Sequence, residues 1–148
     1  MKLNIQEDLS LDETEITIRC PYLNDRLKRL VGQIRQYGSC LTGYQENRQF
    51  QIPLESIYYL ESTDGKTFLY QKKEVYICRE NLAALELQLT RSGFVRISKN
   101  CILNLAFLEY VEPLFNHRLK AILKNGEALI ISRNYTASLR EQLKGSAL

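Results

Sequence analysis

The chain predicts a mainly β fold with a few helices, made of small antiparallel sheets and preceded by a short strand and an amphipathic helix. Three observations predict it. From Cys40 onward the apolar residues recur at every second position, not every third or fourth. The strand-like runs are joined by turns of two to five residues, too short for the crossovers that parallel strands require. Two of those turns carry Asp64-Gly65 and Asn125-Gly126, dipeptides that accept the left-handed backbone of a tight hairpin.

The 148 residues suit one domain, or one domain with an extension. With 45% hydrophobic and 25% charged residues, the composition is that of a chain that buries a core. No apolar run is long enough to span a bilayer. The segment Met1 to Leu11 is acidic and has no signal-peptide core, so a cytoplasmic location is expected. Cys20, Cys40, Cys78 and Cys101 lie far apart and form no C-x-x-C pair, and His117 is the one histidine. A metal site needs clustered ligands, so no metal and no cofactor are expected, and the thiols are read as reduced and mostly buried. His117, in the polar run Asn116-His117-Arg118, reads as a solvated turn residue. Charge is uneven. Residues 1 to 90 carry 11 Lys and Arg against 13 Asp and Glu, while residues 91 to 148 carry 9 against 4. A basic C-terminal part suits a phosphate-bearing partner.

Taken in order, Glu15 to Cys20 alternates as a strand stopped by Pro21. Asn24 or Asp25 then caps a helix with Leu27, Leu30, Val31 and Ile34 on one face, ending near Tyr37-Gly38. Leu41 to Tyr44 and Gln49 to Pro53 are strands around Glu46-Asn47. Ile57 to Glu61 and Thr67 to Gln71 flank the turn at 62–66, and Glu74 to Cys78 follows Lys72-Lys73. Asn81 caps a second helix reaching about Thr90, with Leu82, Leu85 and Leu89 inward. Gly93 ends that connection. Phe107 to Glu112, closed by Pro113, is another strand. Leu119 to Lys124 and Ala128 to Ser132 form the clearest hairpin, and Asn134 caps a last helix with Tyr135, Leu139 and Leu143 at four-residue spacing. The change of period separates an N-terminal extension, residues 1–40, from a domain at 41–148.

The stretch from Gly93 to Leu105 carries the functional signal. Phe94 to Ile97 reads as a half-buried strand, although Val95 breaks the alternation. Ser98, Lys99 and Asn100 then form a polar, cationic tip before Ile102 and Leu103 return to the core. Two other junctions resemble it: Lys66 beside Thr67, and Arg133 beside Asn134. Lys and Arg neutralise phosphates, Arg reads guanine with two hydrogen bonds, and Ser, Thr and Asn serve phosphates and base edges alike. Catalytic signatures are missing: there is no G-x-S-x-G, no P-loop, no G-x-G-x-x-G and no H-E-x-x-H. A non-enzymatic protein without a small-molecule substrate is therefore expected.

F-V-R-I-S-K-N-C-I-L-N-L at 94–105, N-G-E-A-L-I-I-S-R-N-Y at 125–135 and Y-L-E-S-T-D-G-K-T at 59–67 resemble the LytTR-type DNA-binding domain, over about Thr42 to Leu143. The whole chain is similar to that family's short stand-alone regulators, which carry a strand and a helix before the domain and no receiver domain. The resemblance implies small antiparallel sheets whose loops enter successive major grooves of bent duplex DNA. It places Lys66 or Thr67, then Lys99, then Arg133 at base-contacting positions. Where some relatives carry His before that second contact, this chain has Ser98. It also implies control by a neighbouring small membrane protein.

The expectation is thus a sequence-specific, double-stranded DNA-binding transcriptional regulator, working as a homodimer on repeated half-sites. Its DNA-binding residues are Lys66, Thr67, Ser98, Lys99, Asn100, Arg133 and Asn134. The alternative is an interaction module or inhibitor that grips a regulator through the N-terminal amphipathic helix. Binding to single strands would need exposed aromatics, and Tyr58, Tyr59, Tyr70 and Tyr76 are read instead as core or sheet surface. Arg96 is expected to pair with an acid such as Glu61, and Asn104 to hydrogen-bond its own loop.

Overall fold

A computed structural model describes residues 1–144. Helix α1 (Asp25–Gln36) begins where the Asn24 side chain accepts from the Leu27 N–H at 2.8 Å, satisfying one of the donors a helix start leaves free. Strands β1 (Cys40–Gln45) and β2 (Arg48–Pro53) form a hairpin around Glu46 and Asn47, both left-handed at φ 51° and 64°. Strands β3 (Tyr59–Thr63) and β4 (Lys66–Tyr70) turn in the same way at Asp64-Gly65. Strand β5 (Val75–Cys78) leads into helix α2 (Leu82–Leu89), capped by Asn81 at 2.9 Å from the Ala84 nitrogen. Next come β6 (Phe94–Ser98), β7 (Cys101–Asn104), β8 (Leu108–Pro113), β9 (Leu119–Leu123), β10 (Ala128–Ile131) and helix α3 (Thr136–Leu143).

All the strand pairs are antiparallel. One sheet has seven strands in the order β2-β1-β5-β4-β3-β7-β6, and the other has three in the order β10-β9-β8. The larger sheet has a core on each side. On one side Leu60, Leu69, Phe94 and Ile102 pack with Leu82, Leu85 and Leu89 of α2. On the other, Tyr59, Val95, Ile97 and Leu103 pack with Leu119, Ala121, Leu123 and Ile131 of the smaller sheet and Leu139 of α3. This double burial explains Val95. A strand covered on both faces needs apolar residues at consecutive positions, and Phe94 and Val95 face opposite cores.

Helix α1 is attached through its polar side. Gln36 is fully buried, and its Nε2 donates to the Ser92 carbonyl at 2.6 Å and to Asn104 Oδ1 at 3.0 Å. Asn104 Nδ2 donates back to Gln36 Oε1 at 3.2 Å and to the Ile57 carbonyl at 2.8 Å, while Asn104 Oδ1 also accepts from the Ala106 N–H at 3.1 Å. The two amides therefore satisfy one another in a place without water's help. So Asn104 bonds its own loop, as expected, and holds α1 as well. The chain passes close here: a Cβ on Gly32 would lie 3.3 Å from the Gly93 nitrogen, and Gly93 itself sits at φ 82°, a conformation that favours glycine.

The structure corrects three local expectations and leaves one helix face partly open. Glu15 to Cys20 forms no strand, and Ile16 and Ile18 are exposed; alternation supplies a face but not the partner backbone a strand requires. The apolar face of α1 is only partly covered, with Leu30 36% exposed. Asn134 does not cap the last helix. A single 3-10 turn spans Arg133–Tyr135, no side chain caps α3, and Thr136 Oγ1 donates to the Arg133 carbonyl at 3.0 Å. Of the four free cysteines, Cys20 and Cys40 are exposed and only Cys78 and Cys101 are buried.

Candidate nucleic-acid interface

Three loops carry the residues singled out in the sequence, and backbone hydrogen bonds set them side by side. The β3–β4 hairpin presents Lys66 next to its left-handed Asp64-Gly65 pair. Beside it runs the β6–β7 loop, because the Ser62 N–H donates to the Asn100 carbonyl at 2.8 Å, extending the β3–β7 ladder by one step. On the other flank, the Ser132 N–H donates to the Ile97 carbonyl at 2.9 Å. That bond joins the end of β10 to the end of β6 and leaves Arg133 next to the tip at 98–100. Lys66, Lys99, Asn100, Arg133 and Asn134 are all exposed along this edge.

The middle loop is stiffened from within. A register shift lies between Arg96 and Ser98, an irregularity of the kind that re-aims side chains at the end of a ladder. Half-buried Ser98 accepts at Oγ from the Asn100 N–H at 3.2 Å. Beneath the tip, Arg96 Nε donates to the Ser98 carbonyl at 2.8 Å, and its Nη2 donates to the Lys99 carbonyl. The same guanidinium meets Glu86 of α2 at 3.5 Å. Arg96 thus has the structural role expected of it, with Glu86 as its acid in place of Glu61. No local sequence rule reveals that choice, since it depends on how α2 lies over β6.

Thr67 departs from the rest. It is 6% exposed, on the same sheet face as the buried Leu69, so its hydroxyl cannot reach a partner along the edge. The alternation Thr67, Leu69 already carried that signal. Cys101, just behind the tip, has its thiol pushed up to about 12, chiefly by burial, with Glu61 raising it further and Arg96 opposing. Burial also raises Tyr59, whose hydroxyl donates to Glu127 Oε2 at 2.8 Å and ties the two sheets together. Tyr58 stacks on Phe107 with ring centroids 3.8 Å apart, and Tyr59 on Tyr70 at 4.4 Å. Those rings are used inside the protein.

One part of this edge lies outside the residues singled out in the sequence. The loop between β8 and β9 turns through Asn116 and His117, both left-handed at φ 62° and 60°, and places Arg118 just before Leu119. Leu119 pairs with Ile131. Arg118 therefore lies across from the strand end that leads into Arg133.

A β scaffold that aligns cationic loops along one edge suits a phosphate-bearing partner. The chain belongs to the LytTr DNA-binding domain family, whose description matches residues 47–144. It is similar to the solved LytTr DNA-binding domain of a Bacillus cereus protein described as a methyl-accepting/DNA response regulator. The TM-score is 0.68 at 23% identity, covering 72% of this chain and 97% of that one. Among curated relatives, the sensory transduction protein LytT of Bacillus anthracis is 29% identical over 93 residues, 63% of this chain and 38% of that protein. The chain thus matches well under half the length of that relative. An uncharacterized HTH-type transcriptional regulator of Staphylococcus aureus is 26% identical over 147 residues, covering 97% of this chain and 98% of that one.

Proposed function

We propose that this chain is a sequence-specific regulator of transcription that binds double-stranded DNA, with Lys66, Ser98, Lys99, Asn100, Arg133 and Asn134 meeting the grooves and their phosphates. The observation that carries this reading is the pair of backbone hydrogen bonds, Ser62 to Asn100 and Ser132 to Ile97, that brings three separate loops to one edge. Rigid placement of a few cations is what base readout needs, because a bidentate Arg contact discriminates only if its geometry is fixed. The protein acts on the chromosome, hence in the cytoplasm, as a pair on repeated half-sites and without catalytic chemistry.

Arg133→Ala tests it. Specific affinity is expected to fall by roughly 10- to 100-fold, the cost of one base contact, with the melting temperature unchanged. Fluorescence anisotropy with a selected duplex and a scrambled one reads this out. Equal affinity and equal base preference in the variant would remove Arg133 from the site.

A second reading has its own support. Leu30 is 36% exposed and Leu27, Val31 and Ile34 are half-buried, so α1 keeps an apolar strip through which the chain, as an interaction module or inhibitor, would grip a regulator. On that reading, partner affinity follows Leu30 and Ile34, and duplex binding is absent.

A further inference from the structure

We infer that the β8–β9 loop and helix α3 form a separate cradle for a backbone phosphate of the DNA, flanking the base-reading row and adding grip without sequence preference. The inference rests on the DNA-binding reading above and extends it to residues outside the three loops. Its basis is a cleft of about 510 Å³ lined by Asn116, His117, Arg118, Arg133, Thr136 and Arg140 among others. Three guanidiniums and an imidazole share that space, and no carboxylate lines it.

The fold brings these groups together for reasons of register. The pairing of Leu119 with Ile131 sets Arg118 across from Ser132, beside Arg133. Thr136 and Arg140 lie one helical turn apart on α3, on the same face, and both line the cleft. Left-handed Asn116 and His117 fold the loop back, closed by the Leu114 N–H donating to the Arg118 carbonyl at 2.9 Å. Arg118 Nε donates to the Phe115 carbonyl at 3.2 Å, which orients its guanidinium. Among the described residues, no acid forms an ion pair with Arg118, Arg133 or Arg140. Like charges gathered without a counter-charge repel one another, and an anion bound among them relieves that repulsion. Because Arg133 belongs both to the cleft and to the row of loops, the anion that fits is a phosphodiester of the DNA those loops read. The two classes of contact then divide the work, phosphates fixing position and base edges fixing sequence.

The test uses the full chain, a selected duplex, a scrambled duplex and a salt series, read by fluorescence anisotropy. The variants are Arg118→Ala with Arg140→Ala, and the charge-keeping pair Arg118→Lys with Arg140→Lys. The alanine pair is expected to weaken binding to both duplexes by the same factor, about tenfold or more. It should also lower the slope of log affinity against log salt by about 1 to 2, the signature of one or two lost phosphate contacts. The lysine pair should recover most of both, and base preference should stay as in the wild type. Wild-type affinity and slope in the alanine pair would overturn the inference while leaving the DNA-binding reading intact. Loss confined to the selected duplex would also overturn it, by making these arginines base readers. Inorganic phosphate should displace duplex from the wild type better than chloride does at equal ionic strength, but not from the alanine pair, because it competes for the same guanidiniums; equal displacement from both would overturn the inference. If the wild type binds no duplex, the underlying reading fails first.

Discussion

Residues 94–105 and residues 1–23 look alike in one respect, since both mix apolar side chains with polar and charged ones. The structure treats them in opposite ways. In 94–105 nearly every apolar side chain has a core to enter, and the polar tip is held by Arg96, Ser98 and two neighbouring loops. In 1–23, Leu3, Ile5, Leu9, Ile16 and Tyr22 are exposed, and the hydrogen bonds found there are local ones around Asp8. Rigidity comes from the neighbours a segment finds. An alternating pattern becomes a strand only when a neighbour's backbone lies at the right distance on at least one side. Strand β7 has such neighbours on both sides, β3 and β6.

The sharpest measure of this contrast is thiol chemistry. Cys20 lies in the exposed segment and Cys101 behind the buried tip. Toward a disulfide reagent at neutral pH, Cys20 is expected to react about a thousandfold faster than Cys101 or more, because Cys101 must wait for an opening that costs several kcal/mol. Comparable rates, measured on variants keeping one cysteine each, would mean that the central stretch is not held as described. The same thiol sets an alkaline limit. Its pKa rises from 9.0 to about 12 on folding, so the native state holds a proton that the unfolded chain releases between those values. The thiol's contribution to stability is therefore fully present below about pH 9 and is lost as pH climbs toward 12. Cys101→Ala should flatten that part of the denaturation profile.

Next in size is Asn104→Ala. It leaves the Ile57 carbonyl, the Ala106 N–H and the Gln36 Oε1 without their partner, while Gln36 Nε2 keeps the Ser92 carbonyl, at about 1–3 kcal/mol for each group left unsatisfied in the interior. A loss of about 3 kcal/mol in urea unfolding, at unchanged m-value, is expected. A loss below about 1 kcal/mol would show that the amide pair does not anchor α1. Smaller again is Arg96→Met, which keeps an apolar stem and removes the donors beneath Ser98 and Lys99. Stability should drop by about 1–2 kcal/mol, and specific DNA affinity by about tenfold, although Arg96 lies below the tip and not on it. Intact affinity with reduced stability would show that the tip holds its shape without that support.

Much of this was legible because it is local. Period-two alternation from Cys40 onward, the turns at Asp64-Gly65 and Asn125-Gly126, and Asn caps at 24 and 81 follow from neighbours in the chain, and the structure has them. The cationic loops were legible as candidates for the same reason. What needed the structure was who meets whom. Glu86 could be chosen for Arg96 only once α2 was laid over the sheet. Gln36 reads as a polar helix residue, yet it is buried because Asn104 waits opposite. Arg118 and Arg140 are far apart in sequence and become neighbours of Arg133 only through the register of β9 with β10 and the docking of α3. Thr67 is legible too: its place in the alternation points inward, although its neighbour Lys66 stands in an exposed loop.

The smallest effect expected on the fold comes from removing residues 2–23, and it separates the two regions most cleanly. These residues make no ladder with the domain. Helix α1 keeps its Asn24 cap and its Gln36–Asn104 bonds without them. Deletion should therefore change unfolding free energy by no more than about 0.5 kcal/mol, the usual range for exposed positions without special contacts. Anisotropy on a duplex with one half-site should stay as in the full chain, since the edge that carries Lys66, Lys99 and Arg133 is untouched. If the exposed apolar side chains of 1–23 serve to join two copies, the loss appears elsewhere: binding to two half-sites becomes no tighter than two separate events, and light scattering reports a monomer where the full chain pairs. A drop of several kcal/mol in the truncated protein would show instead that the segment packs on the domain and is held as firmly as residues 94–105.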